Sequence, residues 1–124
     1  FEAGIPCSRI EGYDDVEMGP DGLPVNFTRK MSSAVCTAYS ASRGRGSSGL
    51  GLYNGTCAVN PNVIPYGTRM YITSADQSFV YGFCIATDTG GAMMEGRVDI
   101  DLFFETNAEC LRFGKRSLDV YILD

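Results

Sequence analysis

The sequence predicts an all-β fold, a small closed barrel of six short strands with one helix. Three observations carry that expectation. Fifteen glycines among 124 residues, with frequent Val, Ile, Tyr and Phe, suit short strands joined by tight turns. Strand-like runs recur along residues 33–123, separated by clusters of Gly, Pro, Asn, Asp and Ser. Many short strands also leave many edges to protect, and closing the sheet on itself removes them.

The elements follow in order. "SAVCTAY" (33–39) is the first strand, and a Gly/Ser loop occupies 40–51. "TCAVN" (56–60) is the second strand; Pro61 and Pro65 then pin an extended turn. "RMYIT" (69–73) and "FVYGFCIAT" (79–87) are the third and fourth. "DTGG" turns the chain, so that "VDIDLFF" (98–104) is expected to run back beside the fourth strand. Alternation puts Asp99 and Asp101 on one face, with Ile100 and Leu102 on the other. "ETNAECLRFG" (105–114) is the helix, with Thr106 or Asn107 as N-cap and Gly114 as its stop. "LDVYIL" (118–123) is the last strand. Residues 1–30 are acidic and broken by Gly-Pro and Asp-Gly turns, and read as a linker or peripheral hairpin. Residues 31–124 read as the domain.

Composition narrows the function. A net charge of -5 leaves no basic stripe to neutralise phosphates, which argues against nucleic acid. No apolar run approaches ~20 residues, so no helical membrane span is expected. The absence of His removes Ser-His-Asp and Cys-His catalysis and most zinc sites. "GRGSSGLG" (44–51) lacks the lysine of a phosphate loop. Cys7, Cys36, Cys57, Cys84 and Cys110 are odd in number and contain no C-x-x-C. Free thiols and disulfides are both open; if disulfides form, Cys7 is the one left unpaired. Cys36, Cys57 and Cys84 lie in strand-like runs, where a cysteine serves as a small buried hydrophobe.

The chemistry concentrates in "ATDTGGAMMEGRVDIDLFF" (86–104), which carries Asp88, Asp99 and Asp101. Carboxylates gathered in one place raise one another's pKa. That cost is accepted for a metal, for proton transfer, or where the acids point apart. Oxygen ligands would suit Ca²⁺ or Mg²⁺. No D-x-D-x-D-G loop occurs, however, so neither a metal nor another cofactor is expected.

Taken together, "CTAYSA" (36–41), "AVNPNVIPYGTRMYI" (58–72), "YGFCIATDTGGAMMEGRVDIDLFF" (81–104) and "ECLRFGKRSLDVYIL" (109–123) resemble the 3D domain. That family is named for three aspartates and includes bacterial wall-associated and stationary-phase survival proteins. Its "DTGGA…G…D" core is similar to that of the membrane-bound lytic transglycosylase A family. The resemblance implies a double-psi β-barrel acting on the glycan strands of peptidoglycan, in a secreted or cell-envelope protein of a bacterium. It implies non-hydrolytic cleavage between N-acetylmuramic acid and N-acetylglucosamine, leaving a 1,6-anhydro end. Of the three aspartates, Asp88 begins "DTGGA" and Asp101 precedes the aromatic run, while Asn60 stands where the family has Asp. The segment "GAMMEGRVDID" is about two residues longer than the family pattern, so Asp99 is the competing choice for the third position. The family's usual Lys after "GGA" is replaced by Met94 or Glu95.

Glycoside cleavage needs an acid to protonate the leaving oxygen and stabilisation of an oxocarbenium-like transition state. The resemblance assigns the acid to Asp101, with its pKa raised by a neighbouring carboxylate or an apolar wall. Asp88 would stay charged, orienting sugar or balancing positive charge. The two are expected to face each other across a groove, with Asp99 outside their contact range. Thr37, Tyr39, Asn60, Thr89, Gly90 and Gly91 are the candidate sugar contacts, the glycines by close backbone approach. Arg69, Arg97 and Arg116 are candidates for the carboxylates of the peptide stems, or else ordinary surface charges. Two other readings stand beside the enzyme: a barrel that grips wall glycan without cutting it, and a hydrolase with more widely spaced acids.

Overall fold

A computed structural model describes residues 7–8, 15–40, 49 and 51–123. Six strands carry the fold: β1 (Arg29–Tyr39), β2 (Thr56–Ala58), β3 (Arg69–Thr73), β4 (Val80–Asp88), β5 (Ile100–Phe103) and β6 (Arg116–Ile122). They close into a barrel in the order β1-β5-β2-β4-β3-β6. β1 with β5 and β2 with β4 are parallel; the other pairs are antiparallel. The mixed six-stranded barrel is the fold class the sequence predicts.

Alternation decides what fills the interior. Ile100 and Leu102 of β5, Cys36 of β1, Cys57 of β2, Cys84 and Ala86 of β4, and Met70 and Ile72 of β3 are fully buried in one cluster. All five cysteines are free thiols, so there is no pairing from which Cys7 is left out. Cys36, Cys57 and Cys84 act as small core hydrophobes, and burial pushes the Cys36 thiol up. Tyr81 is buried whole, and its hydroxyl is satisfied inside the barrel. It donates to the Phe103 carbonyl at 2.6 Å and accepts from Gly55 N–H at 2.9 Å, tying β2, β4 and β5 together at one end.

The predicted helix forms as α2 (Asn107–Phe113). Thr106 is its N-cap in a reciprocal capping box with Glu109, and Gly114 ends it with φ 67. Phe113 drops from α2 onto Phe79 and Phe104, with ring centroids 5.3 and 5.5 Å away.

Three expectations are corrected. First, two helices form rather than one: α1 (Gly91–Met94) is a single turn anchored by buried Met93. Four residues are too few to show a helical period in sequence. Second, β5 does not run beside β4. β2 lies between them, parallel to β4 and antiparallel to β5. Segment 89–99, shortened by α1, is therefore a crossover and not a hairpin. Third, β1 begins at Arg29 rather than Ser33, because β6 pairs with it from Arg29↔Ile122 onward. A register shift between Met31 and Ala34, with Ser33 at φ 57, interrupts the alternation that would have revealed the longer strand. Before β1, Met18 and Pro24 form a bridge, and Leu23 packs on Tyr71, Val80 and Tyr121. Cys7 and Ser8 donate backbone N–H bonds to the carbonyls of Val80 and Tyr81.

Candidate active site

Ala58 of β2 is the centre of the site. Its register partner on one side is Asp88 of β4 and on the other Asp101 of β5. In-register partners share a face, so the two acids flank the Ala58 methyl at a backbone separation of roughly 9–10 Å, two strand spacings. That face is the outer one, since Cys57, the neighbour of Ala58, points into the core.

Asp88 reaches this face through a bulge. Cys57 pairs with Ala86 and Ala58 pairs with Asp88, so one extra residue of β4 is inserted between them. Simple alternation would carry Asp88 inward after Cys84 and Ala86; the extra residue turns it outward. It is nonetheless only 1% exposed. Tyr39 covers it, and the Tyr39 hydroxyl donates to Asp88 Oδ2 at 3.2 Å. Burial, and then the Asp88 charge, push the Tyr39 hydroxyl well above the usual phenol range, so it remains a donor. The ring of Tyr39 meets Phe103 edge to face, with centroids 5.5 Å apart. Met93, Val98 and Ala58 form a small apolar cluster, with Val35, Tyr39 and Ala92 at its margin.

Asp101 is half-buried. Thr37, its register partner on β1, donates from Oγ1 to Asp101 Oδ1 at 2.9 Å. Burial raises the Asp101 carboxyl above the ordinary range, the Thr37 hydrogen bond opposes the rise, and the Asp88 charge adds to it. The site thus holds a shielded acid, Asp88, and an accessible one, Asp101, whose carboxyl is shifted toward holding its proton.

Asp99 sits two residues earlier on the same strand and is exposed. Its Oδ2 accepts the Val35 N–H at 2.8 Å, and its own N–H donates to the Val35 carbonyl at 2.9 Å. It secures the entry of β5 against β1. The Asn60 side chain accepts from Asn62 N–H at 3.0 Å, closing its own turn. Thr89 Oγ1 is buried with no hydrogen-bond partner among the described residues. Gly90 is extended, and a Cβ there would stand 2.9 Å from Met93 Cε; around Gly91 the space is open. The structure thus gathers Thr37, Tyr39, Asp88 and Asp101, while Asn60 and Asp99 line a small cavity with Met93 and Val98.

Arg69 forms a two-pronged ion pair with Asp15, at 2.9 and 3.0 Å. Arg97 pairs with Glu95 at 2.6 Å. Arg116 lies over the rings of Phe79 and Phe113 and donates to the Phe113 carbonyl. Each of the three candidate cations is therefore engaged within the chain. Sequence reasoning missed Ala58, Met93 and Val98. Ala58 had one weak signal, a small residue in a strand otherwise built from larger ones.

No helix among the described residues is long and apolar enough to cross a membrane. The chain is 32% identical over 105 residues to the putative cell wall shaping protein YabE of Bacillus subtilis, covering 78% of this chain and 24% of that protein. It is 33% identical over 67 residues to the cell wall-binding protein YocH of the same organism, covering 54% and 21%. It therefore spans about a quarter of the length of these relatives. The barrel is similar to the crystal structure of the lytic transglycosylase MltA from Escherichia coli, with a TM-score of 0.53 and 20% identity, over 64% of this chain and 27% of that one. At that identity the likeness is one of fold. Residues 55–124, from the start of β2 onward, match the 3D domain, and the chain belongs to that family.

Proposed function

We propose that this domain is a peptidoglycan lytic transglycosylase with Asp101 as its general acid and base. One observation carries the reading: an accessible, half-buried carboxyl raised by burial and by a second acid across Ala58. Protonated Asp101 gives its proton to the glycosidic oxygen as the bond to the muramic C1 breaks. The bonding electrons leave with that oxygen. The muramic 6-hydroxyl then bonds to C1 and returns its proton to Asp101, closing the 1,6-anhydro ring. No water is consumed and the acid is regenerated. Asp88 acts from beneath. Its charge adds to the burial that raises Asp101, and its carboxylate accepts from the Tyr39 hydroxyl, so its influence on the sugar passes through Tyr39. The location consistent with this chemistry is the cell envelope.

A second reading, a non-catalytic glycan-binding barrel, is favoured by Asn60 in place of a family aspartate and by the wall-binding relative. Digestion of purified peptidoglycan followed by mass spectrometry separates the two. Anhydro ends support the transglycosylase. New reducing ends point to hydrolysis, and intact polymer that retains bound protein points to a binding module.

A further inference from the structure

Two adjoining cavities lie outside the acid pair, and neither is lined by Asp88 or Asp101. The smaller, about 90 Å³, is bordered by Asn60, Asp99, Met93 and Val98, and shares Val63 and Ile64 with the larger. The larger, about 470 Å³, is walled by Val63, Ile64, Pro65 and Ile122, with Thr28, Arg29 and Thr68 supplying polar side chains; the Thr28 hydroxyl donates to the Ile122 carbonyl at 3.1 Å. Met93 and Val98 also pack on Ala58. The smaller cavity thus links, through Met93 and Val98, to the Ala58 floor between the acids and, through Val63 and Ile64, to the cavity that holds Arg29.

Two polar groups in the larger cavity are unused. The Arg29 guanidinium has no ion-pair or hydrogen-bond partner among the described residues, unlike Arg69, Arg97 and Arg116. Thr68 is 9% exposed, and its hydroxyl makes no hydrogen bond among the described residues. Val63, at the mouth, is 51% exposed although apolar. A volume of this order suits a short segment of ligand rather than a whole sugar chain.

We propose that this cavity binds the carboxylate end of the peptide stems that branch from peptidoglycan, an inference that rests on the wall-polymer reading above. Arg29 pairs with the terminal carboxylate, and a guanidinium can do so through two parallel hydrogen bonds. The aliphatic walls take the methyl groups of alanine residues, and the Thr68 hydroxyl pairs with a peptide amide. On a chain of net charge -5, a carboxylate is held only where a local cation outweighs the general field. The stem site would then align the glycan so that its glycosidic bond lies over Asp101.

The test uses the full chain and an N-acetylated peptide ending in D-Ala-D-Ala, alongside the same peptide as its C-terminal amide. Binding is followed by NMR titration. The acid form should shift backbone signals of Val63–Thr68, and the amide should bind more weakly. Arg29→Gln should weaken the acid form roughly 10-fold or more, as loss of a charged hydrogen-bonded pair does. Thr68→Val, nearly isosteric, should weaken both forms. The inference is overturned if wild type binds neither form, if acid and amide bind alike, if Arg29→Gln binds as wild type, or if shifts appear only around Asp88 and Asp101. The reaction is scored separately, by anhydro ends from peptidoglycan. Product without peptide binding removes the stem site alone; peptide binding without product removes the transglycosylase and leaves the stem site standing.

Discussion

Replacing Asp101 by Asn separates catalysis from folding. The amide oxygen can still accept from Thr37 Oγ1, now 2.9 Å from the carboxylate, so the local geometry is retained. The proton to be donated is gone. Loss of a general acid typically costs 10² to 10⁴ in rate, or about 2.7–5.4 kcal/mol of barrier. Stability should move the other way. The folded carboxyl is raised above its unfolded value, so the folded state binds protons more tightly, and the resulting stabilisation is complete at acid pH and lost as pH rises through the folded pKa. At neutral pH the half-buried carboxylate is therefore a liability that Asn removes. Asp101→Asn should melt at or above the wild-type temperature at pH 7 and bind glycan normally, yet release no anhydro product. Asp99→Asn is the control. Its side chain is exposed and its bond to Val35 N–H can be kept by the amide, so activity and stability should stay near wild type. An inactive Asp99→Asn beside an active Asp101→Asn would refute the assignment.

Asp88→Asn removes a charge that adds to the burial raising Asp101, so the alkaline limb of the pH–rate profile should move to lower pH; a limb that stays put would mean the two acids do not communicate. Tyr39→Phe withdraws a hydroxyl from the almost fully buried Asp88 side chain, and denaturant unfolding should show a loss of about 1–3 kcal/mol. Thr106→Ala opens the capping box of α2 and should cost about 1 kcal/mol in the same assay with no change in kcat.

The parts of the fold legible in the sequence were those fixed by local chemistry. The Thr106 and Glu109 pair announces a capping box, and Gly114 supplies the left-handed residue that ends α2. "RMYIT" is bounded by turn residues on both sides, and β3 occupies Arg69–Thr73 as expected. The illegible parts were long-range. A strand's neighbours in a mixed barrel are set by closure, and nothing in "VDIDLFF" says that β1 and β2 flank it. Proximity in sequence suggested β4, because hairpins are the commonest way to join nearby strands. The parallel pairs, which require crossovers, are invisible to that rule.

The site was legible as a set of residue types and illegible as a geometry, and the difference lies in one residue of β4. Period-two alternation from Cys84 through Ala86 assigns Asp88 to the interior, where a carboxylate without a partner would be costly. The sequence nevertheless presents an aspartate there. That conflict was itself a signal that the strand must break step, and the structure breaks it between Ala86 and Asp88. The bulge brings Asp88 beneath the Tyr39 hydroxyl and level with Asp101, on either side of a residue too small to separate them. Had Ala58 been a valine or leucine, its side chain would occupy the floor on which Met93 and Val98 now rest. The side chains of Met93 and Tyr39, which pack around the same floor, would have to move. A small residue opposite a bulge therefore shapes this site, because it leaves room for Met93 and Tyr39 to pack between the two acids.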